Sequence, residues 1–213
     1  MGKRRIIEAD LRPSTFDLNN IFVIGKDINK AATLLEAGEL VAIPTETVYG
    51  LAANALNETA VVKIFEAKNR PFFDPLIVHL AQIEQIPHYT QNIPEKAHLL
   101  ARHFMPGPLT LLLEKTERIS DLVTAGSPLV AIRIPRHLLS RELLGRLSFP
   151  LAAPSANPFG YISPTTAQHV EQQLGDIIPY ILDGGPCEVG LESTIVGFKE
   201  GQTVVFRKGG IPV

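Results

Sequence analysis

The chain has 213 residues, 45% of them hydrophobic and 20% charged, with 20 Lys and Arg against 22 Asp and Glu for a formal net charge of −2. This balance excludes a disordered chain, which carries fewer apolar residues and more net charge, and a collagen-like or coiled-coil rod. It also argues against bulk coating of nucleic acid, while the length is ample for a buried core in one large domain or two small ones.

Residues 1–5 are basic, but no long apolar stretch follows them, so no signal peptide is expected. Asp27 is placed to cap a helix reaching residue 37, with apolar Ile28, Ala31, Ala32, Leu34 and Leu35 and a stop at Gly38. Residues 40–43 read as a buried strand ended by Pro44, and Asn57 caps a second helix with Val61, Ile64 and Phe65 on one face. A strand over 76–80 follows, then a helix opened by Pro94 and running to 104, then strands over 109–113 and 130–134. Residues 138–147 read as helix, 151–153 as a short strand and 166–174 as helix; strands over 180–182, 194–196 and 203–206 close the chain. Interleaved strands and helices predict an α/β (α+β) fold, a twisted sheet of mixed parallel and antiparallel strands flanked by helices. The last strands lack intervening helices, which predicts some antiparallel pairing. The prolines are spread out and no repeat or linker is apparent, so a single domain over 1–213 is expected.

A lone cysteine, Cys187, excludes a disulfide scaffold and a Cys-rich zinc site and fits a reducing compartment. Apolar runs such as 75–81 and 109–113 are too short to span a bilayer. These features together predict a cytoplasmic protein without membrane contact. Lys and Arg outnumber Asp and Glu over 101–150, and the balance reverses over 151–213. A local cationic site is therefore possible, better suited to a small anionic ligand than to a long polyanion.

The common phosphate-loop, dinucleotide, zinc-hydrolase and serine-hydrolase patterns are all missing. The informative segments are instead polar loops at the ends of predicted strands, where ligand sites of open α/β sheets cluster. Pro44–Leu51 (PTETVYGL) follows a buried strand. Lys68 and Arg70 leave the second helix just before Pro71, which biases Arg70 toward an extended backbone. Both cations can then point to one side as a grip on phosphate, or simply complement the helix dipole. His79 ends a buried strand, where it can hold a polar ligand or sit as a satisfied core histidine. Arg133 interrupts an apolar strand and needs a partner, either a protein carboxylate or that of a ligand. Ser155 and Asn157 lie in a loop stiffened by Pro154 and Pro158, ahead of Ser163; Asp183-Gly184-Gly185, residues 190–196 and Arg207 complete the set.

Taken together, PTETVYGL, KNRP with DPLIVH, PGPLT, VAIRIPRH, PLAAPSANPFGYISPT, DGG and GLESTIV resemble the YrdC family, the threonylcarbamoyl-AMP synthases, in order and spacing over about residues 31–210. The K-x-R and S-x-N pairs are specific, and Lys68, Arg70, Ser155 and Asn157 retain both. The resemblance implies a YrdC-like domain that forms threonylcarbamoyl-AMP and pyrophosphate from L-threonine, bicarbonate or CO2, and ATP, for threonylcarbamoyladenosine in tRNA. It implies catalytic roles for Lys68 and Arg70. It implies ATP contacts from Lys68, Arg70, Asp74, Ser155, Asn157, Ser163 and Arg207, and threonine contacts from Thr47, His79, Arg133, Ala153 and Ser193. Mg2+ is expected mainly on the phosphates, with no dedicated metal ligands, and proteins that transfer the product to tRNA are the expected partners.

The chain departs from the family pattern at Met105, where many members carry Trp. Two-domain members also continue into a second domain over the active site; none is expected within residues 1–213, which fits either a single-domain member or a part of a two-domain one. Two rival readings are an RNA-binding module of the same fold without catalysis and a carbamoyl-transfer relative, alongside a degenerate, inactive member. The charge balance weakens the first rival, the lack of accessory zinc and acylphosphatase modules the second, and the retained K-x-R and S-x-N pairs the last.

Overall fold

Short strands with opposite faces buried against different neighbours build the sheet of this protein. The computed structural model describes residues 23–212; the basic residues 1–5 considered for a signal peptide lie outside the described residues. In chain order the elements are β1 (Ile24–Gly25), α1 (Ile28–Glu36), β2 (Val41–Ile43), β3 (Gly50–Asn54), α2 (Glu58–Lys68) and β4 (Ile77–His79). A 3-10 turn (Ile83–Gln85) leads into α3 (Ile86–Tyr89) and α4 (Glu95–Phe104), then β5 (Leu109–Glu114), α5 (Asp121–Thr124) and β6 (Leu129–Arg133). The chain ends with α6 (Leu138–Arg146), β7 (Leu151–Ala152), α7 (Ala167–Leu174), β8 (Tyr180–Leu182), β9 (Thr194–Lys199) and β10 (Gln202–Arg207).

The ten strands of the described residues join in one mixed sheet in the order β1-β8-β2-β3-β7-β4-β6-β5-β9-β10. The expected antiparallel pairing at the end of the chain occurs between β9 and β10, whereas β8 pairs in parallel with β1 and β2. Helix starts follow the expected caps. Asp27 Oδ1 accepts from the amides of Asn29 (2.9 Å) and Lys30 (3.1 Å), and Asn57 Oδ1 accepts from Ala60 (3.2 Å).

Gly50 and Leu51, expected in a polar loop, belong to a strand, β3. Its small residues have little strand preference of their own. They are extended because β2 pairs with Leu51 and Ala52 on one side and β7 pairs with Ala53 and Asn54 on the other. The short α3 and α5 were likewise not anticipated. Four-residue helices carry too little periodicity to be read from sequence.

The pleat sorts side chains to two faces. On one face Val78, Leu109, Leu111, Val130 and Ile132 join α2, α4 and α7 residues in the larger core. On the other face Leu35 of α1 and Leu143 and Leu144 of α6 pack over Val41, Ile43, Ala52 and Tyr180. The same face over β4, β6, β5 and β9 is concave and lines a cavity. Among the described residues no helix is long and apolar enough to cross a membrane.

The alternation along β5 is testable. Leu111 is fully buried in the core, so Leu111→Ala should lower the unfolding free energy by about 2–5 kcal/mol. Leu112 faces the cavity instead, so Leu112→Ala should cost nearer about 1 kcal/mol. Urea denaturation of the two variants measures both.

Candidate active site

His79 and Arg133 line the floor of the cavity and belong to a row of polar side chains across three strands. His79 of β4 stands opposite Arg133 of β6, and Arg133 stands opposite Thr110 of β5. Directly opposed residues project from the same face, so an imidazole, a guanidinium and a hydroxyl emerge side by side. The next row, Ile77, Ala131 and Leu112, is apolar and also faces the cavity, whose volume is about 410 Å3.

Arg133 is held by an ion pair. Its Nη2 donates to Glu46 Oε1 at 2.8 Å, with the two side chains only 5% and 2% exposed. The second oxygen, Glu46 Oε2, accepts from the backbone amide of Arg136 at 3.0 Å. A buried guanidinium requires such a partner. Its Nε nevertheless has none among the described residues. Of the two partners left open by the sequence, the structure supplies the protein carboxylate and leaves Nε unbonded.

His79 Nδ1 lies 3.3 Å from the Ile77 carbonyl. That partner assigns the Nδ1–H tautomer and leaves Nε2 as an acceptor. Burial first, and then the neighbouring Arg133, push the imidazole down to about 3, so it is neutral at neutral pH. Thr47 is buried as well, with its Oγ1 2.9 Å from Thr45 Oγ1. Thr45 Oγ1 donates to the Val48 carbonyl and accepts from the Thr47 and Val48 amides, which closes the turn between β2 and β3. At the end of that turn a Cβ on Gly50 would approach Ala153 Cβ to 3.3 Å, so the two cavity walls meet closely there.

Two further arginines border the cavity with more exposure. Arg70 pairs with Asp74 Oδ2 at 3.0 Å and donates from Nε to the Asp74 carbonyl (3.2 Å) and from Nη2 to the Pro75 carbonyl (3.0 Å). Arg207 Nη2 donates to the Ser193 carbonyl at 2.9 Å and to Ser193 Oγ at 3.1 Å. Ser193 Oγ is 2.7 Å from Thr110 Oγ1, which links this arginine to the floor.

Lys68 is placed differently from the two-cation grip expected of it. It occupies the last turn of α2, and the chain then turns through Asn69 at φ 50°. This left-handed cap sends Arg70 toward the cavity, whereas Lys68 stays inside. Its Nζ donates to the Ser155 carbonyl at 2.5 Å and to the Asn157 carbonyl. Burial, reinforced by Arg70, lowers its ammonium to about 7, and Asp74 opposes the shift. Lys68 therefore clamps the loop carrying Ser155 and Asn157 from behind.

Of the residues singled out from sequence, Thr47, Arg70, Asp74, His79, Arg133, Ala153, Ser155, Ser193 and Arg207 line one cavity. Lys68, Asn157 and Ser163 stand behind its wall. Asn157 Nδ2 donates to the Pro158 and Tyr161 carbonyls while its Oδ1 has no partner among the described residues. Ser163 Oγ donates at 2.6 Å to Glu192, which does line the cavity. Sequence reasoning gave no role to Glu46, Thr110 or Glu192. All three lie inside the motifs quoted above, but only tertiary contacts distinguish them there.

No group of three or more His, Cys, Asp or Glu side chains able to hold a metal gathers among the described residues. The cavity offers Asp74 and Glu192, the first paired with Arg70 and the second bonded to Ser163.

A family profile for Sua5, YciO and YrdC proteins, described as telomere recombination, matches residues 33–209. The threonylcarbamoyl-AMP synthase of Pyrococcus abyssi is 48% identical over 186 residues, 87% of this chain and 55% of that protein. The Bacillus subtilis protein of the same name is 51% identical over 185 residues, 86% and 54% of the two chains. The chain thus spans about half the length of these curated relatives. A crystal structure of P. abyssi Sua5 complexed with L-threonine superposes with a TM-score of 0.86 at 45% identity, over 89% of this chain and 58% of that one.

The burial of His79 has a pH signature. Unfolding restores its ordinary value near 6.5, so between pH 6.5 and about 3 the unfolded chain binds the extra proton. Stability must then fall as pH drops through that window and show no His79 contribution above it. Urea midpoints from pH 7 to pH 4 should decline less steeply for His79→Gln than for wild type. Nitrogen NMR should find the wild-type imidazole neutral at pH 5.

Proposed function

Because the chain belongs to the Sua5, YciO and YrdC family, we propose that it carries the catalytic site of a threonylcarbamoyl-AMP synthase, an adenylyl-transferring enzyme. Its substrates on this reading are L-threonine, bicarbonate or CO2, and ATP. The observation that carries the proposal is the division of one continuous cavity. A neutral histidine and a paired arginine lie deep on its floor, and two less buried arginines border it.

Threonine binds at the deep end. Its carboxylate accepts from the spare Nε of Arg133, and His79 Nε2 accepts from its hydroxyl or amine. Thr47, Ser193 and the Ala153 backbone close around it. The threonine amine adds to CO2 and loses a proton to solvent, forming a carbamate. A carbamate oxygen then attacks the α-phosphate of ATP, and pyrophosphate leaves. Such a transfer depends on positioning and charge stabilisation more than on a protein nucleophile.

Arg70 and Arg207 hold the triphosphate and stabilise the charge that develops in the transition state. Ser155 and Asp74 add contacts from the same wall, while Asn157 and Ser163 act from the loop behind it. Lys68 supports catalysis through that loop, because its Nζ already serves two carbonyls. Mg2+, held mainly on the phosphates, would supply charge neutralisation on the pyrophosphate. One or two carboxylates with phosphate oxygens suffice for this ion, and Asp74 and Glu192 are the carboxylates within the cavity. The product is consumed by proteins that transfer the threonylcarbamoyl group to tRNA. A lone cysteine, Cys187, which is free, agrees with a cytoplasmic setting.

Pyrophosphate release from ATP and Mg2+ should require both L-threonine and bicarbonate; release indifferent to threonine would overturn the assignment. Arg70→Ala should reduce release by about a hundredfold or more with the fold retained. Arg133→Ala should raise the KM for threonine by about ten- to a hundredfold with little change in that for ATP. Steady-state assays with each substrate varied in turn measure both.

A further inference from the structure

Glu46 does not line the cavity, yet it organises the part of it assigned above to threonine. Its carboxylate uses one oxygen on Arg133 Nη2 and the other on the Arg136 amide, so both ends of the segment 133–136 are pinned to one side chain. Its own carbonyl accepts from Val189 at 2.8 Å, and the next carbonyl, that of Thr47, accepts from Gly190 at 3.0 Å. The segment carrying Glu192 and Ser193 is thereby tied to the same turn. Arg136 Nη2 reaches Glu188 at 2.6 Å across the same junction.

The arginine held this way has a donor to spare. Nη2 is committed to Glu46, and Nε is buried without a partner among the described residues, on a side chain that lines the cavity. A guanidinium presents its donors in a rigid plane, so fixing Nη2 fixes the direction of Nε–H. The ion pair also leaves the floor without net charge, since His79 is neutral. That suits the carboxylate of a zwitterionic amino acid better than a polyphosphate.

We infer that Glu46 is a positioning residue: by holding Arg133 at Nη2, it aims the free Nε–H at the carboxylate of the bound amino acid. The inference rests on the threonine-binding reading above, and it separates Glu46 from a merely stabilising role because it acts on threonine only through Arg133.

The test is a double-variant cycle read by calorimetric titration of L-threonine and, separately, of ATP with Mg2+. Wild type, Glu46→Gln, Arg133→Met and the double variant are compared. Glu46→Gln should weaken threonine about ten- to a hundredfold, with ATP affinity within about twofold of wild type. The double variant should bind threonine no more weakly than Arg133→Met alone, because one partner acts through the other. Where Glu46→Gln does not fold, Glu46→Asp keeps the charge but withdraws it by one methylene, and should weaken threonine severalfold. Unchanged threonine affinity in a folded Glu46 variant overturns the inference, and so do losses that simply multiply in the double variant. A wild-type chain that binds ATP but no threonine overturns the functional reading, and this inference falls with it.

Discussion

Arg133 stands at the end of an apolar strand, and the sheet tolerates it there because Glu46 stands beside it. An unpaired guanidinium at that depth would carry a desolvation penalty of several kcal/mol, enough to reshape the floor of the cavity. Much else follows from satisfying that charge. The turn between β2 and β3 must bring Glu46 over β6. The chain beyond β6 must offer the Arg136 amide to the second carboxylate oxygen. The exposed segment before β9 must dock on the carbonyls of the same turn. One buried ion pair thus ties together three stretches that are far apart in sequence.

The charges in the cavity divide by depth. At the floor a cation and an anion cancel and an imidazole is held neutral by burial. Nearer solvent, Arg70 and Arg207 lean on backbone carbonyls as much as on carboxylates, which satisfies their donors without fully offsetting their charge. The two ends of the cavity thus differ in their electrostatic character. The apolar row of Ile77, Ala131 and Leu112 lies on the same sheet face, because the two-residue pleat repeats the row spacing without repeating its chemistry.

The long periodic elements were legible beforehand. α1, α2, α4, α6 and α7 carry caps or apolar stripes that local physics suffices to read, and the strands around Leu109–Leu113 and Val130–Arg133 announce themselves as buried runs. β3 did not, because Gly50–Asn54 is extended by its two neighbours rather than by its own residues. Lys68 and Arg70 show the same limit at the scale of side chains. Their spacing allows a shared grip, but a left-handed residue between them and the loop behind α2 send them to different sides of a wall.

What the amino-acid sequence determined by itself was the inventory. It named the apolar runs that become the two cores, the capping residues, and nearly all the polar groups that meet in the cavity, because each depends on residue type and short spacing. Only the tertiary structure decided which of those groups face one another. His79, Arg133 and Thr110 become neighbours through strand register, and Glu46 becomes the partner of Arg133 through a turn that crosses the sheet. Register and docking are set by the burial of the opposite face and by charges that must be paired once water is excluded. Neither condition exists in the extended chain.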